Sequence, residues 1–212
     1  MKGLFISFEG TEGSGKSTQI SLLADRLRSL GRFARTLREP GGTPIGEEIR
    51  HTLKHSLQNQ AMQAETELLL MNASRAQLVR EVIRPALEAG EIVLCDRFYD
   101  STTAYQGYGR QLDLRTVESL VNFAVGETRP NLTLLLVVPP QVSQERLSAR
   151  QSTLPFMRDR IEEADRSFFD RIARGYQVIA AAEPARVRLI DGSGSVSAIE
   201  RDIWKAVEPL LR

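Results

Sequence analysis

Gly10, Thr11, Glu12, Gly13, Ser14, Gly15, Lys16 and Ser17 form a full match to G-x-x-x-x-G-K-[ST]. Glycines let successive backbone N–H groups turn inward around phosphate oxygens, where any Cβ would hinder them. A helix opening at this point adds partial positive charge at its N-terminus. Lys16 can then reach the outer phosphates of a nucleoside triphosphate, and the Ser17 hydroxyl can ligate Mg²⁺. Thr18 completes the expected triphosphate-binding run. A bare turn between a strand and a helix would need neither the third glycine nor the Lys-Ser pair.

The second group is made of arginines in loops: Arg38, Arg50, Arg75, Arg97 and Arg110, then Arg146, Arg150, Arg158 and Arg160. The planar guanidinium donates two parallel hydrogen bonds to phosphate and stays charged. Taken singly, most would be solvated surface. Arg97 is the exception, because it follows Asp96 at the end of the apolar run Ile92–Cys95. Ligands bind at the C-terminal edge of open α/β sheets. Asp96 is placed there like the carboxylate that helps hold the metal in loop-containing nucleotide hydrolases. His51 and His55 have metal-ligand spacing on a helix, but lack a cysteine or carboxylate cluster and read as solvated.

The elements around these residues follow from periodicity. Leu4–Phe8 reads as a buried strand, and Ile20, Leu23, Leu27 and Leu30 set a helix from about Gly15 to a stop at Gly31. Residues 32–38 make a second strand, and Glu39–Pro44 a loop. Helical spacing returns at Ile45, Ile49 and Leu53, and again over 65–87, with Leu68 and Leu69 as core and Pro85 as a kink or stop. Ile92–Cys95 and Leu132–Val138 are buried strands, and 186–190 the last one. The small, polar run Ser101–Gln111 suits a pocket wall or a loop. Helices are expected over 112–125 and 141–150, through Phe168 and Ile172 to Ile179, and from Val196 to Leu210. The fold class is therefore α/β: a five-stranded parallel sheet with helices on both faces.

Composition narrows the field. The 212 residues suit one domain, and 42% hydrophobic with 26% charged residues is ordinary for a globular chain. A net charge of +1 and 6% aromatics give no electrostatic footprint or stacking platform for nucleic acid, and no attraction to an acidic membrane. No apolar run reaches the length of a membrane span, and the first residues are too soon charged for a signal peptide. With Cys95 as the sole cysteine, a reducing, cytoplasmic setting is expected. Guanine-nucleotide switches need an N-K-x-D run, and no asparagine here precedes a lysine. The Asp191–Gly194 string resembles D-x-x-G but follows the last strand, away from any γ-phosphate.

Five segments together resemble the bacterial thymidylate kinases. They are Phe8-Glu9-Gly10-Thr11-Glu12-Gly13-Ser14-Gly15-Lys16-Ser17, Arg38-Glu39-Pro40-Gly41-Gly42-Thr43, Glu65-Thr66-Glu67-Leu68-Leu69-Leu70, Cys95-Asp96-Arg97-Phe98 and Thr103-Ala104-Tyr105-Gln106-Gly107. The likeness runs in order along essentially the whole chain. It implies the three-layer α/β/α nucleoside-monophosphate kinase fold in one domain, residues 1–212. The monophosphate would bind around 38–75, and a lid would span about 146–162. It implies a homodimer that moves the ATP γ-phosphoryl group to dTMP with Mg²⁺, held by Ser17 and Asp96.

By the same resemblance, Arg97 bridges donor and acceptor phosphates beside Lys16, and Arg50 helps hold the dTMP phosphate. Arg75 reads a thymine carbonyl, with Gln106 and Thr102 on the other polar edge of the base. Tyr105 lies under the sugar, where a 2′-hydroxyl would be crowded. Glu12 faces the acceptor sugar or the metal, with Glu39 nearby. Many members carry Phe where this chain has Met71, whose sulfur packs on the base in its place. With Gly13 where some members carry a loop arginine, the transferring group would be met by Arg150, Arg158 or Arg160 from a longer lid.

Overall fold

The computed structural model describes residues 3–56, 58–151 and 165–211. Strands β1 (Leu4–Glu9), β2 (Ala34–Arg38), β3 (Ile92–Asp96), β4 (Leu132–Val137) and β5 (Val187–Asp191) pair in the order β2-β3-β1-β4-β5, every pair parallel. Parallel strands are joined by crossovers that put helices on both faces, so their residues are apolar on both sides. On one face Ile6, Phe8, Leu94 and Leu134 meet α1 (Lys16–Ser29) and α9 (Val196–Val207) through Ile20, Leu27, Ile199 and Ile203. On the other, Phe5, Val93 and Cys95 meet Leu78, Ile83, Val117 and Val121. Cys95 is fully buried, and burial pushes its thiol pKa well up.

The remaining helices are α2 (Pro44–Lys54), α3 (Ala64–Leu78), α4 (Arg84–Glu88), α5 (Tyr99–Thr102), α6 (Leu114–Val125), α7 (Pro140–Gln151) and α8 (Arg166–Ala182). Side chains close several N-termini: Thr43 accepts from the Gly46 amide, Asp113 from Thr116, Asp165 from Phe168 and Ser195 from Ala198. The N-terminus of α1 has no such cap, because Gly15 precedes it in a left-handed conformation (φ 95°). Its first amides are left for a ligand.

The segment 101–111 does supply a pocket wall, through Ser101, Thr102, Tyr105 and Gln106, but most of it is helix and not loop: α5 runs into a π-helical stretch, Thr103–Gly109. Glycines and β-branched threonines lower its helix propensity. Burial overrides that, and the glycines serve close packing. A Cβ on Gly109 would sit 2.7 Å from Phe168, and one on Gly175 would sit 2.8 Å from Tyr108, so α8 could not lie so near. Pro85 does not end its helix either. A π turn, Val79–Ile83, joins α3 to α4 just before it, loosening the ladder where a proline lacks its donor. Leu68 is core as expected, but Leu69 is 54% exposed. The face that α3 buries is largely polar (Glu67, Asn72, Ser74, Arg75), so apolar periodicity misplaced it.

Candidate active site

The glycine loop leaves β1, the central strand, at the point where the order turns to β3 on one side and β4 on the other. A Cβ at Gly10 (φ 133°) would stand 2.4 Å from the Leu136 carbonyl oxygen, so only glycine fits. The Lys16 ammonium donates to the carbonyls of Gly10 (3.1 Å) and Thr11 (3.0 Å), across the mouth of the loop. Burial, and then the field of Arg97, hold its pKa down at about 8. Ser143 on α7 donates to the Glu12 carbonyl (2.6 Å), and Arg146 on α7 donates to that of Gly192 (3.0 Å). The loop is thus braced by α7, and the turn after β5 closes on Ser14.

Asp96 ends β3 beside the loop, and its Oδ2 accepts from the Ser17 hydroxyl at 3.0 Å. A carboxylate oxygen and a hydroxyl oxygen this close suit a hard cation that takes its remaining ligands from phosphates and water. Among the described residues, no group of three His, Cys, Asp or Glu side chains is gathered for a metal.

Arg97 has φ 70°, unusual for a non-glycine residue, and its amide donates to the Phe8 carbonyl at 2.9 Å. This turns its side chain over the loop. One guanidinium nitrogen reaches Glu12 (2.9 Å), another Ser101 Oγ (3.2 Å), and the cation lies 5.0 Å from the Tyr105 ring centre. Burial alone would raise the Glu12 pKa, but Arg97, Lys16 and Lys54 outweigh it and hold it down at about 2.

These groups border an open cleft with about 490 Å³ of space between its walls, solvent at the mouth included. Its lining brings together eight predicted residues: Glu12, Glu39, Met71, Arg75, Arg97, Thr102, Tyr105 and Gln106. Arg75 is the buried anchor, bonded to Glu39 Oε2 (2.6 and 2.8 Å), Thr102 (2.8 Å) and Asn72 (3.1 Å). Burial still outweighs Arg75 and keeps the Glu39 pKa raised. The Gln106 amide donates to Glu67 at 2.8 Å, and Arg110 pairs with the same carboxylate at 3.0 Å. Glu39 Oε1 and the Tyr105 hydroxyl are buried without a hydrogen-bond partner among the described residues.

Arg50 does not line the cavity; it donates to the Pro40 carbonyl at 2.9 Å. One turn on, Lys54 supplies α2's cation to the lining instead, which sequence reasoning missed along with Pro40, while Ser101 opens the stretch expected as a pocket wall. Glu9 was also missed: it sits wholly buried beneath Arg97, and only its place before Gly10 could have drawn notice. Arg150 lies on α7, and Arg158 and Arg160 fall outside the described residues.

A family model described as thymidylate kinase matches residues 8–203. The thymidylate kinase of Pseudomonas syringae pv. tomato is 46% identical over 211 residues, covering 100% of this chain and 98% of that one. That of a Synechococcus species is 45% identical, covering 98% and 96%. Among solved structures, thymidylate kinase from Ehrlichia chaffeensis superposes with a TM-score of 0.77 at 29% identity, covering 98% of this chain and 99% of that one.

Proposed function

The chain belongs to the thymidylate kinase family, and from that premise we propose how its cavity serves the reaction. The protein is an ATP-dependent nucleoside monophosphate kinase that converts dTMP to dTDP. Its acceptor is already a nucleophile, so no strong base is needed. The task is to hold several negative charges in line. The supporting observation is the cavity itself, polar at both ends. Glu12, Arg97 and Lys54 lie toward the phosphate loop, and Arg75, Glu39, Thr102 and Gln106 form a fixed hydrogen-bonding wall.

In this reading the α1 amides and Lys16 hold the ATP phosphates. Arg97 spans donor and acceptor, exchanging Glu12 for phosphate oxygens. Arg75, whose five N–H groups are bonded to Glu39, Asn72, Thr102 and the Phe98 carbonyl, exchanges one of these partners for a thymine carbonyl. Thr102 offers its hydroxyl, Met71 packs on the ring, and Tyr105 lies under the sugar. Ser17 and Asp96 would hold Mg²⁺, which when bound neutralises charge on the transferred phosphate. Lys54 takes the part in the α2 wall that Arg50 was expected to play. The whole chain is one kinase domain with its monophosphate region at about 38–75. The lid, at about 146–162, lies partly outside the described residues and is assigned by family likeness alone.

A coupled assay of ADP formation with ATP and a panel of monophosphates tests this reading. A wall of fixed, buried donors and acceptors should prefer dTMP over dCMP or AMP by roughly 10⁴ in kcat/KM. Comparable turnover of dCMP or AMP would remove the thymine assignment.

The working form is a homodimer in the cytoplasm. Supporting the first point, the adjoining helices α3 and α6 present Leu69 and Phe123, the latter 80% exposed, to solvent. Single exposed apolar residues are ordinary, but a large aromatic bared on a packed helix layer suits a self-complementary contact. Light scattering should give twice the chain mass for the native protein and a monomer for Leu69→Glu/Phe123→Glu. A native monomer would end the idea. For location, no helix among the described residues is long and apolar enough to cross a membrane, and the one thiol is buried.

A further inference from the structure

Glu9 closes β1 with its carboxylate at zero exposure, one residue before the glycine loop. Its Oε1 accepts the Phe98 amide at 2.7 Å. Its Oε2 accepts two hydroxyls, Ser101 at 2.6 Å and Tyr176 at 2.8 Å, and these hydroxyls stand 3.1 Å apart. Phe98 and Ser101 both follow Arg97 in the turn that leaves β3, and Tyr176 comes from α8. One carboxylate therefore joins the loop strand, the arginine turn and a helix from elsewhere in the chain.

Such a group is costly for stability. Burial, followed by the nearby Asp100 charge, pushes its pKa up to about 7, against the pull of Ser101, Arg97 and the Phe98 amide. An apolar residue of similar volume would fill the space without that cost. What the carboxylate supplies is direction. With Glu9 taking the Ser101 proton, the Ser101 oxygen is turned to accept from Arg97, at 3.2 Å.

We propose that Glu9 is a positioning residue for phosphoryl transfer, orienting the Arg97 guanidinium through Ser101 and the Phe98 amide and pinning the same turn to α8 through Tyr176. It touches no substrate, and the inference rests on the reading that Arg97 spans the two phosphates. Glu9→Gln makes the test. The amide oxygen still accepts from Phe98, but the NH₂ group now donates to Ser101 Oγ and competes with Arg97 for that oxygen.

The experiment measures kcat, both KM values and the melting temperature for Glu9→Gln, Arg97→Ala and the double variant. Misplacing a group by about 1 Å costs on the order of 10²-fold. Glu9→Gln should therefore lower kcat by roughly 10- to 100-fold with both KM values held within about threefold. In the Arg97→Ala background the same change should cost less than about twofold, because partners acting as a unit are not additive. Equal losses in both backgrounds, or an unchanged kcat in the native one, would overturn the proposal. Should Arg97→Ala alone turn over like the native enzyme, it is the role of Arg97 that fails. Should Glu9→Gln not fold, Tyr176→Phe removes one donor with little change of volume and carries the same comparison.

Discussion

Arg97→Ala is expected to lower kcat by about 10³–10⁵ with little change in melting temperature. A guanidinium on the transferring phosphoryl group contributes that much in related chemistry, or roughly 4–7 kcal/mol of barrier. The residue is held by the φ 70° turn, by Glu12 and Ser101, and by the Tyr105 face, so its orientation is set before substrate arrives. Removing it leaves Glu12 with Lys16 and Lys54 nearby, which is why the fold should survive. Arg97→Lys keeps the charge but not the two-pronged donor and should recover only part of the rate. Steady-state kinetics with a thermal melt decide the matter. An alanine variant within tenfold of the native rate would place Arg97 away from the reacting phosphates.

Arg75→Met should be the most destabilising single change in the site. Arg75 and Glu39 are both almost wholly buried, and Glu39 already has a raised pKa. Deleting one partner of such a pair leaves an uncompensated buried charge and costs about 3–5 kcal/mol. For a domain near 200 residues each kcal/mol lowers the melting temperature by about 2–4 °C, so a fall of roughly 6–20 °C is expected. Arg75→Met/Glu39→Leu should recover most of that loss, since apolar replacement of a whole buried pair is often neutral. It should not recover dTMP binding, because Thr102 and Asn72 would have lost the guanidinium that fixes them in the wall. A melt for Arg75→Met within 2 °C of native, or restored dTMP affinity in the double variant, would contradict this account.

The sheet and the phosphate loop could be read from the chain because each rests on local pattern. Runs such as Leu132–Val137 are apolar on both faces, and the loop glycines have a backbone reason to be there. Motif identity also found most of the cavity wall. Reading failed where tertiary contact overrules local preference. The stretch after Ser101 is helical because α8 packs against it through Gly109 and Gly175, a partner the local sequence does not announce. On α3 the buried stripe is polar, so hydrophobic spacing pointed to Leu69, which faces solvent. Glu9 looked like the end of a strand; its importance comes from Phe98, Ser101 and Tyr176, brought to it only by folding. Arg50 was expected from the family resemblance, not from periodicity; it donates to the Pro40 carbonyl, and Lys54, one helical turn on, lines the cavity.

Because the lone sulfhydryl at position 95 is sealed inside the sheet, maleimide dyes should leave the native enzyme unlabelled. A cysteine engineered onto any exposed position would then be a unique handle, with no background mutation required. Fluorophores attached that way could report, in real time, how the two sides of the cleft approach as nucleotides enter.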